Sequence, residues 1–117
     1  MRHVATRHVE EHNKPLSEPV LLILISLAGK PRHGYSLIKD IEELSNGRVR
    51  LSTGTLYGAL RRMLEDAWIE RFQYEDTSRD KQTYRLTQAG RRQLQGELSR
   101  LEHLTHAAKS RMKPMEV

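Results

Sequence analysis

The hydrophobic pattern of this 117-residue chain changes its period twice, and that change limits the folds open to it. Between about residues 37 and 67 the apolar residues recur every three or four positions, which is the spacing of one helical face. Residues 68–74 and 82–86 are instead rich in aromatic and β-branched residues at alternate positions, and the polar residues 75–81 between them suit a hairpin tip. After residue 87 the helical spacing returns. The chain is therefore predicted to be mainly α with a small β-hairpin.

Two helices are predicted to precede the central part of the chain. The first spans residues 18–28, ends at Gly29 and has almost no polar face, so it requires burial on most sides. Residues 30–34 are predicted to form a turn. The second helix follows that turn and ends at Asn46-Gly47, a favourable pair for a helix C-terminus.

The third predicted helix has two different faces. It begins after Ser52, a good N-cap residue, and its apolar residues between positions 56 and 67 lie on one side that requires a core. The opposite side is slim, hydroxylated or cationic, and its carboxylates are confined to the last turn. Such a helix can enter the major groove of DNA, although an ordinary surface helix is also amphipathic. The polar side contains Gly54, Thr55, Gly58, Arg61 and Arg62, with Tyr57 at its edge.

A long fourth helix is predicted from the N-cap residue Thr87 to about residue 113. Its leucines are spaced by four, three and three residues, which resembles a short coiled-coil seam. A domain this small has few surfaces to cover such a stripe. The stripe either folds back on the first helix or pairs with the same helix of another chain, and we expect pairing. The expected dimer interface consists of Leu94, Leu98, Leu101, Leu104 and Ala108.

The composition argues against several classes of function. The chain contains no cysteine, which excludes disulfides and thiolate chemistry. It also has no Gly-rich phosphate loop and no cluster with metal-ligand spacing, so we expect no enzyme, metal or cofactor. His8 and His12 stand four residues apart but lack a third ligand, which makes a weak metal signal. The longest apolar run, residues 20–27, is too short to span a bilayer, so we expect a cytoplasmic protein without a membrane partner.

An excess of basic residues favours a polyanionic partner. Lysine and arginine outnumber aspartate and glutamate by 20 to 15, for a net charge of +5. Residues 1–17 have mixed charges and little apolar pattern, so we divide the chain into an N-terminal arm (1–17), a domain (18–86) and a terminal helix (87–113). At the hairpin tip, Arg79 and Lys81 could contact phosphate, but adjacent acids partly cancel their charge, and a solvated loop fits equally well.

Three helices followed by a hairpin is the order of a winged helix-turn-helix protein. In that arrangement the third helix presents its N-terminal end to base edges. Thr55 could then meet a base edge, Tyr57 a sugar or phosphate, and Arg61 a guanine or phosphate. Two other interpretations remain open. The same fold could serve as an interaction module for a protein partner, or it could bind structured RNA.

Three segments, in this order, resemble the PadR family of bacterial transcriptional regulators. They are HGYSLIKDIEELSNG at residues 33–47, LSTGTLYGALRRMLEDAWIE at 51–70 and KQTYRLTQAGRRQL at 81–94. The similarity covers about residues 18–105, and the single terminal helix is similar to the compact branch of that family. The resemblance implies a homodimeric winged-helix repressor in the bacterial cytoplasm, associated with the nucleoid. It further implies an inverted-repeat operator in duplex DNA and release by a small-molecule effector.

The resemblance also implies which residues form the DNA-binding site. Lys39 and Lys81 stand where the family commonly has a basic residue near phosphate. One departure concerns the effector, because residues 91–117 contain no Trp, Tyr or Phe, and some compact members use such a residue to line a pocket between subunits. The sequence therefore identifies no inducer. The residues on the family's motif positions are His33, Gly34, Tyr35, Ser52, Gly54, Thr55, Leu56 and Tyr57.

Overall fold

A computed structural model describes residues 15–72 and 82–114 of the chain. In that part the helices are α1 (Glu18–Gly29), α2 (Gly34–Leu44), α3 (Thr53–Glu65) and α4 (Gln88–Arg111), and the strands are β1 (Arg32–His33), β2 (Ile69–Arg71) and β3 (Thr83–Leu86). The strands form an antiparallel sheet in the order β1-β3-β2. The mainly helical fold with a small β-hairpin is confirmed, and the element order is that of a winged helix-turn-helix.

Side chains cap three of the helices at the positions where the sequence predicts a start. The hydroxyl oxygen of Ser52 accepts a hydrogen bond from the backbone N–H of Thr55 (3.1 Å), and that of Thr87 accepts one from Gly90 (3.1 Å). Ser17 caps α1 in the same way. These bonds satisfy N–H groups that have no partner inside the helix.

The predicted C-terminal signal of α2 is confirmed by its backbone. Asn46 and Gly47 have φ angles of 56° and 81°, in the left-handed region that glycine and asparagine tolerate best. The N–H of Gly47 donates to the carbonyl oxygen of Glu42 (2.7 Å), a bond that closes the end of the helix.

The prediction of a simple turn at residues 30–34 is incomplete, because β1 lies within it. Arg32 pairs with Tyr84 and His33 with Thr83, so a third strand joins the two that were predicted. A strand of two residues is too short to produce an alternating pattern. Its existence depends on a partner in β3 that is fifty residues away along the chain.

The core surrounds α1, which packs against α2, α3, β3 and α4 as its almost wholly apolar sequence predicts. Each fully buried aliphatic side chain contributes about 1.5–3 kcal/mol relative to an exposed one. The wholly or almost wholly buried large apolar side chains are Ile23, Leu24, Leu37, Ile41, Leu56, Leu60, Met63 and Ile69.

Leu94 also belongs to this core and is only 7% exposed. Its own chain already covers the side chain, which corrects its assignment to the exposed dimer stripe. Farther along α4, Leu98 and Leu104 are 43% and 48% exposed, Leu101 is half-buried and Ala108 is exposed. The stripe left for a partner therefore starts at Leu98.

The start of α4 lies directly against the turn that precedes β2. A Cβ atom added at Gly90 would overlap the carbonyl oxygen of Trp68 and lie 3.0 Å from its carbonyl carbon. The N–H of Thr87 donates to that same oxygen (3.1 Å), and its hydroxyl donates to the carbonyl of Ala67 (2.6 Å). The Thr-x-x-Gly segment of residues 87–90 therefore attaches α4 to the turn that leads into β2.

Glu97 attaches the other side of α4 to Leu16, two residues before the start of α1. Its carboxylate is 5% exposed and accepts hydrogen bonds from Nε of Arg100 (3.2 Å) and from a second guanidinium nitrogen (2.5 Å). Arg100 and, less strongly, the backbone N–H of Leu16 lower the pKa of Glu97, although burial opposes them. Among the helices of residues 15–72 and 82–114, none combines the length and the apolar character needed to cross a membrane.

Candidate nucleic-acid interface

The two faces of α3 separate in the structure as the sequence predicts. Leu56, Ala59, Leu60 and Met63 are buried in the core. The polar side of α3, which is predicted to face DNA, lies on the outside of the molecule. Its exposed residues are Ser52, Gly54, Thr55, Tyr57, Gly58, Arg61 and Arg62.

Gly54 and Gly58 form the slimmest part of this face. A Cβ atom added at either position would have no other group within 4 Å. The packing of the chain itself therefore does not require glycine there, although glycine inside a helix costs about 1 kcal/mol relative to alanine. Their small size has the effect that another molecule can approach the backbone of α3 closely.

The first turn of α3 presents Thr55 rather than Ser52. Ser52 uses its hydroxyl oxygen to cap the helix and lies 3.1 Å from the hydroxyl of Thr55, to which it donates. Thr55 keeps its own hydroxyl proton and its methyl group for contacts outside the helix. Ser52 therefore shapes the end of the helix more than it offers a contact.

Tyr57 joins α3 to the start of α2. A Cβ atom added at Gly34 would overlap the hydroxyl of Tyr57 and lie 2.9 Å from its ring carbon Cζ. Gly34 is buried beneath this ring, so its assignment as a DNA contact is corrected: it provides the space that Tyr57 occupies. Tyr84 is also buried, and burial together with the nearby Tyr57 raises the pKa of its hydroxyl.

The other predicted residues of α2 lie around its first turns. Tyr35 is 71% exposed, and Nζ of Lys39 lies 5.9 Å from the centre of its ring, within the range of a cation–π contact. His33 is half-buried at the start of the helix, and its Nδ1 lies 3.0 Å from the hydroxyl oxygen of Thr83. The structure thus brings parts of α2, α3 and β3 to one side of the domain.

The arginines differ in whether their charge is already balanced. In the part of the chain that the structure describes, Arg61 and Arg62 form no ion pair. By contrast, Arg50 pairs with Glu42 (2.8 Å) and Arg85 with Glu70 (2.8 Å). The carboxylates of α3 itself are confined to its C-terminal end, so the exposed cations of this helix are available to an anion.

The sequence analysis did not include two arginines beside α3 among the DNA-binding residues. Arg48 and Arg50 are exposed in the connector that precedes the helix, and the signal that could have found them is the Arg-Val-Arg tripeptide of residues 48–50. Arg85 of β3 stacks its guanidinium 4.2 Å from the ring centre of Phe72. Arg79 and Lys81, predicted at the hairpin tip, lie outside the described residues.

The described residues contain no group of three or more histidine or acidic side chains placed to hold a metal ion. The weak pair His8 and His12 lies outside those residues, as does most of the predicted N-terminal arm.

Similar proteins were found at the level of family and of fold. Among curated proteins, no sequence matches this chain significantly. A PadR family transcription regulator from Clostridium difficile superposes with a TM-score of 0.70 and 23% identity, over 83% of this chain and 100% of that chain. A transcriptional regulator from Clostridium thermocellum gives a TM-score of 0.67 and 22% identity, over 80% and 92%.

PadR from Bacillus subtilis, solved in complex with operator DNA, gives a TM-score of 0.62 and 17% identity. The similarity covers 88% of this chain but 51% of that chain, so this chain spans about half of the length of PadR. At these identities the solved structures establish the winged helix-turn-helix fold. The sequence model of the PadR-like family of transcriptional regulators matches residues 21–96, from the first helix into the last. On this match the chain belongs to the PadR-like family of DNA-binding transcriptional regulators.

Proposed function

We propose that this regulator is a homodimeric repressor that reads an inverted-repeat operator with the exposed face of α3. One observation carries the proposal: this face combines two glycines that the packing of the chain does not require with two arginines that have no ion-pair partner among the described residues. Such a surface is slim enough to enter the major groove, and its positive charge can bind the DNA phosphates on either side of that groove.

The N-terminal half of α3 is the part proposed to contact bases. Thr55 offers a hydroxyl and a methyl group to base edges, and Arg61 reaches a guanine or a phosphate from two turns farther along. Tyr35 and Lys39 of α2 contact the phosphate backbone beside it. Glu65 and Asp66, at the end of α3, stay outside the groove, because like charges repel there.

The second half of α4 is proposed to form the dimer. The helix has 24 residues and is therefore about 36 Å long, and its apolar stripe continues beyond the core of its own domain. Pairing of Leu98, Leu101, Leu104 and Ala108 with the same residues of a second chain covers that stripe. A two-fold dimer then places two copies of α3 on half-sites about one helical turn apart.

Release of the repressor by a small-molecule effector is also part of the proposal. Its support is the family alone, since no aromatic side chain follows residue 90 and no inducer can be read from the residues.

The test is selection of random duplex DNA by the purified protein at low and at near-physiological salt. Binding to phosphates weakens steeply as salt rises, whereas base recognition persists. The expected result is an enriched inverted repeat that still binds at the higher salt.

Other outcomes would overturn the proposal. Binding only at low salt, with no enriched motif, would favour an interaction module for a protein partner. Preference for A-form RNA duplexes or RNA loops would favour the RNA interpretation. In a reporter strain that carries the selected sequence upstream of a promoter, repression is expected, and increased transcription would contradict the assignment as a repressor.

A further inference from the structure

A small notch lies between the end of α1 and the start of α2, with Thr83 of β3 in its lining. It has a volume of about 200 Å³, and of its lining residues only His33 was predicted to bind DNA. Six residues line it: Lys30, Pro31, Arg32, His33, Ser36 and Thr83.

His33 has a defined orientation in this notch. Its Nδ1 lies 3.0 Å from the hydroxyl of Thr83, a side chain that is only 2% exposed and belongs to β3. When the hydroxyl of Thr83 donates to Nδ1, the ring proton is on Nε2, which can then donate a hydrogen bond, and no described residue accepts one from it. The ring is therefore oriented by its own chain while one donor remains available.

The notch also carries an unbalanced positive charge. Arg32 is neutralised by Asp40 (3.4 Å), and its Nε donates to the carbonyl oxygen of Ser26 (3.0 Å), so this guanidinium serves to join α1 to α2. Lys30 has no carboxylate partner within residues 15–72 and 82–114. No acidic residue lines the notch. These features suit a small anion.

The position of the notch connects it to the proposed DNA face. Gly34, the residue after His33, is covered by Tyr57 of α3. Thr83 is the first residue of β3, the strand that leads out of the predicted hairpin tip. The notch therefore adjoins a residue that α3 covers and the strand that leaves the predicted hairpin tip, so we expect the phosphate backbone of a duplex bound to α3 to pass close to it.

We infer that this notch binds one backbone phosphate of the DNA duplex, with Lys30 supplying the charge and Nε2 of His33 and the hydroxyl of Ser36 donating hydrogen bonds. This inference rests on the proposed function and names one more point at which the duplex is held. A phosphate contact positions the duplex without reading its sequence. Loss of the contact should therefore weaken binding to every sequence alike.

The first experiment compares the full-length protein with its Lys30→Gln and His33→Asn variants. Dissociation constants are measured over a range of salt concentrations, on the selected duplex and on an unrelated duplex of equal length. For Lys30→Gln we expect roughly threefold to tenfold weaker binding to both duplexes and a salt slope that is smaller by about one. His33→Asn should weaken both duplexes as well, because the shorter amide can still bond to Thr83 in place of Nδ1 but offers no donor at the position of Nε2.

Lys113→Gln is the matched control. It removes the same charge at the far end of α4, and its affinity and salt slope are expected to equal those of the unaltered protein. If Lys30→Gln behaves like this control, the inference is wrong.

The second experiment replaces single phosphates of the selected duplex by neutral methylphosphonates. One position should weaken binding of the unaltered protein but have little further effect on Lys30→Gln, because the same contact is already lost. Equal losses for both proteins at every position would overturn the inference. The outcomes separate the two hypotheses, since the proposed function is tested with the unaltered protein, whereas this inference is tested by the difference between that protein and its variants.

Discussion

At the residue scale, the glycines fall into two groups: those that the packing of the fold requires and those where a larger side chain would also fit. Gly34 and Gly90 have no room for a Cβ atom, because a tyrosine ring occupies one site and a backbone carbonyl the other. Gly54, Gly58 and Gly96 have open space in the same test. The packing of this chain therefore explains why glycine is present at Gly34 and Gly90. It does not explain the other three, so we look for their role in contacts with another molecule.

Gly90→Ala should destabilise the protein. The added methyl group would overlap the carbonyl oxygen of Trp68, and a backbone group cannot move aside as a flexible side chain can. Overpacking of this kind costs about 1–3 kcal/mol. The free energy of unfolding, measured in urea at fixed protein concentration, should fall by that amount.

Gly96→Ala is the matched control on the same helix. Nothing lies near the added methyl group, and alanine favours the helix by about 1 kcal/mol, so unfolding should require more urea. Equal effects of the two substitutions would show that the contact with Trp68 is not responsible.

Glu97 makes the stability of the fold depend on pH. Its pKa is lowered from the ordinary value of 4.5, chiefly by Arg100, so the folded state favours the charged form. The resulting stabilisation is present above pH 4.5 and is lost as the pH falls through the lowered pKa. Glu97→Gln should therefore be less stable than the unaltered protein at pH 7, and the difference should shrink below pH 4.5. Urea unfolding at a series of pH values measures this, and a constant difference would contradict it.

At the element scale, α3 satisfies two separate requirements with its two faces. Its buried side chains hold it to the core, whereas its exposed side includes residues that the core does not use. Changes on the exposed side should therefore alter DNA binding without loss of stability.

Gly58→Ala should change stability and DNA binding in opposite directions. Alanine favours the helix by about 1 kcal/mol, so the protein should become more stable. The added methyl group enlarges the slim face, so affinity for the selected duplex should fall. Thermal unfolding and fluorescence anisotropy measure the two effects, and an unchanged affinity would remove Gly58 from the proposed contact surface.

Arg61→Ala should lower DNA affinity by about 1–3 kcal/mol. If Arg61 contacts a base, preference at that position of the operator should relax. If it contacts phosphate, all sequences should weaken alike. Binding to the selected duplex and to its single-base variants distinguishes the two cases, and an unchanged affinity would exclude Arg61 from the interface.

At the scale of the whole molecule, α4 is the element that extends beyond the single domain. Its first turns complete the core through Leu94, and its later turns expose an apolar stripe that the described part of the same chain leaves open. Stability and DNA affinity should therefore both depend on a second copy, and hence on protein concentration.

Leu98→Glu should convert the proposed dimer into monomers. A carboxylate in an apolar seam must either lose its hydration or keep the helices apart. Sedimentation should then show half the mass, and affinity for a two-half-site operator should fall.

Ser99→Glu is the matched control. It adds the same charge at an exposed position that is rotated by about 100° around α4 from Leu98 and lies outside the leucine stripe. It should leave the dimer intact. A dimer of normal mass for Leu98→Glu would show that the seam is placed wrongly.

The sequence by itself determined the local elements of this protein and the face of α3 that stays exposed. Ser52, Thr87 and the pair Asn46-Gly47 set helix ends through contacts within a few residues, and hydrophobic period decides which side of a helix is buried. The tertiary structure alone decided what depends on residues far apart. β1 exists because Arg32 and His33 meet β3, and Gly34 is needed because Tyr57 of α3 occupies the space above it. Such contacts leave no periodic trace, since residues that are more than twenty positions apart share no local pattern.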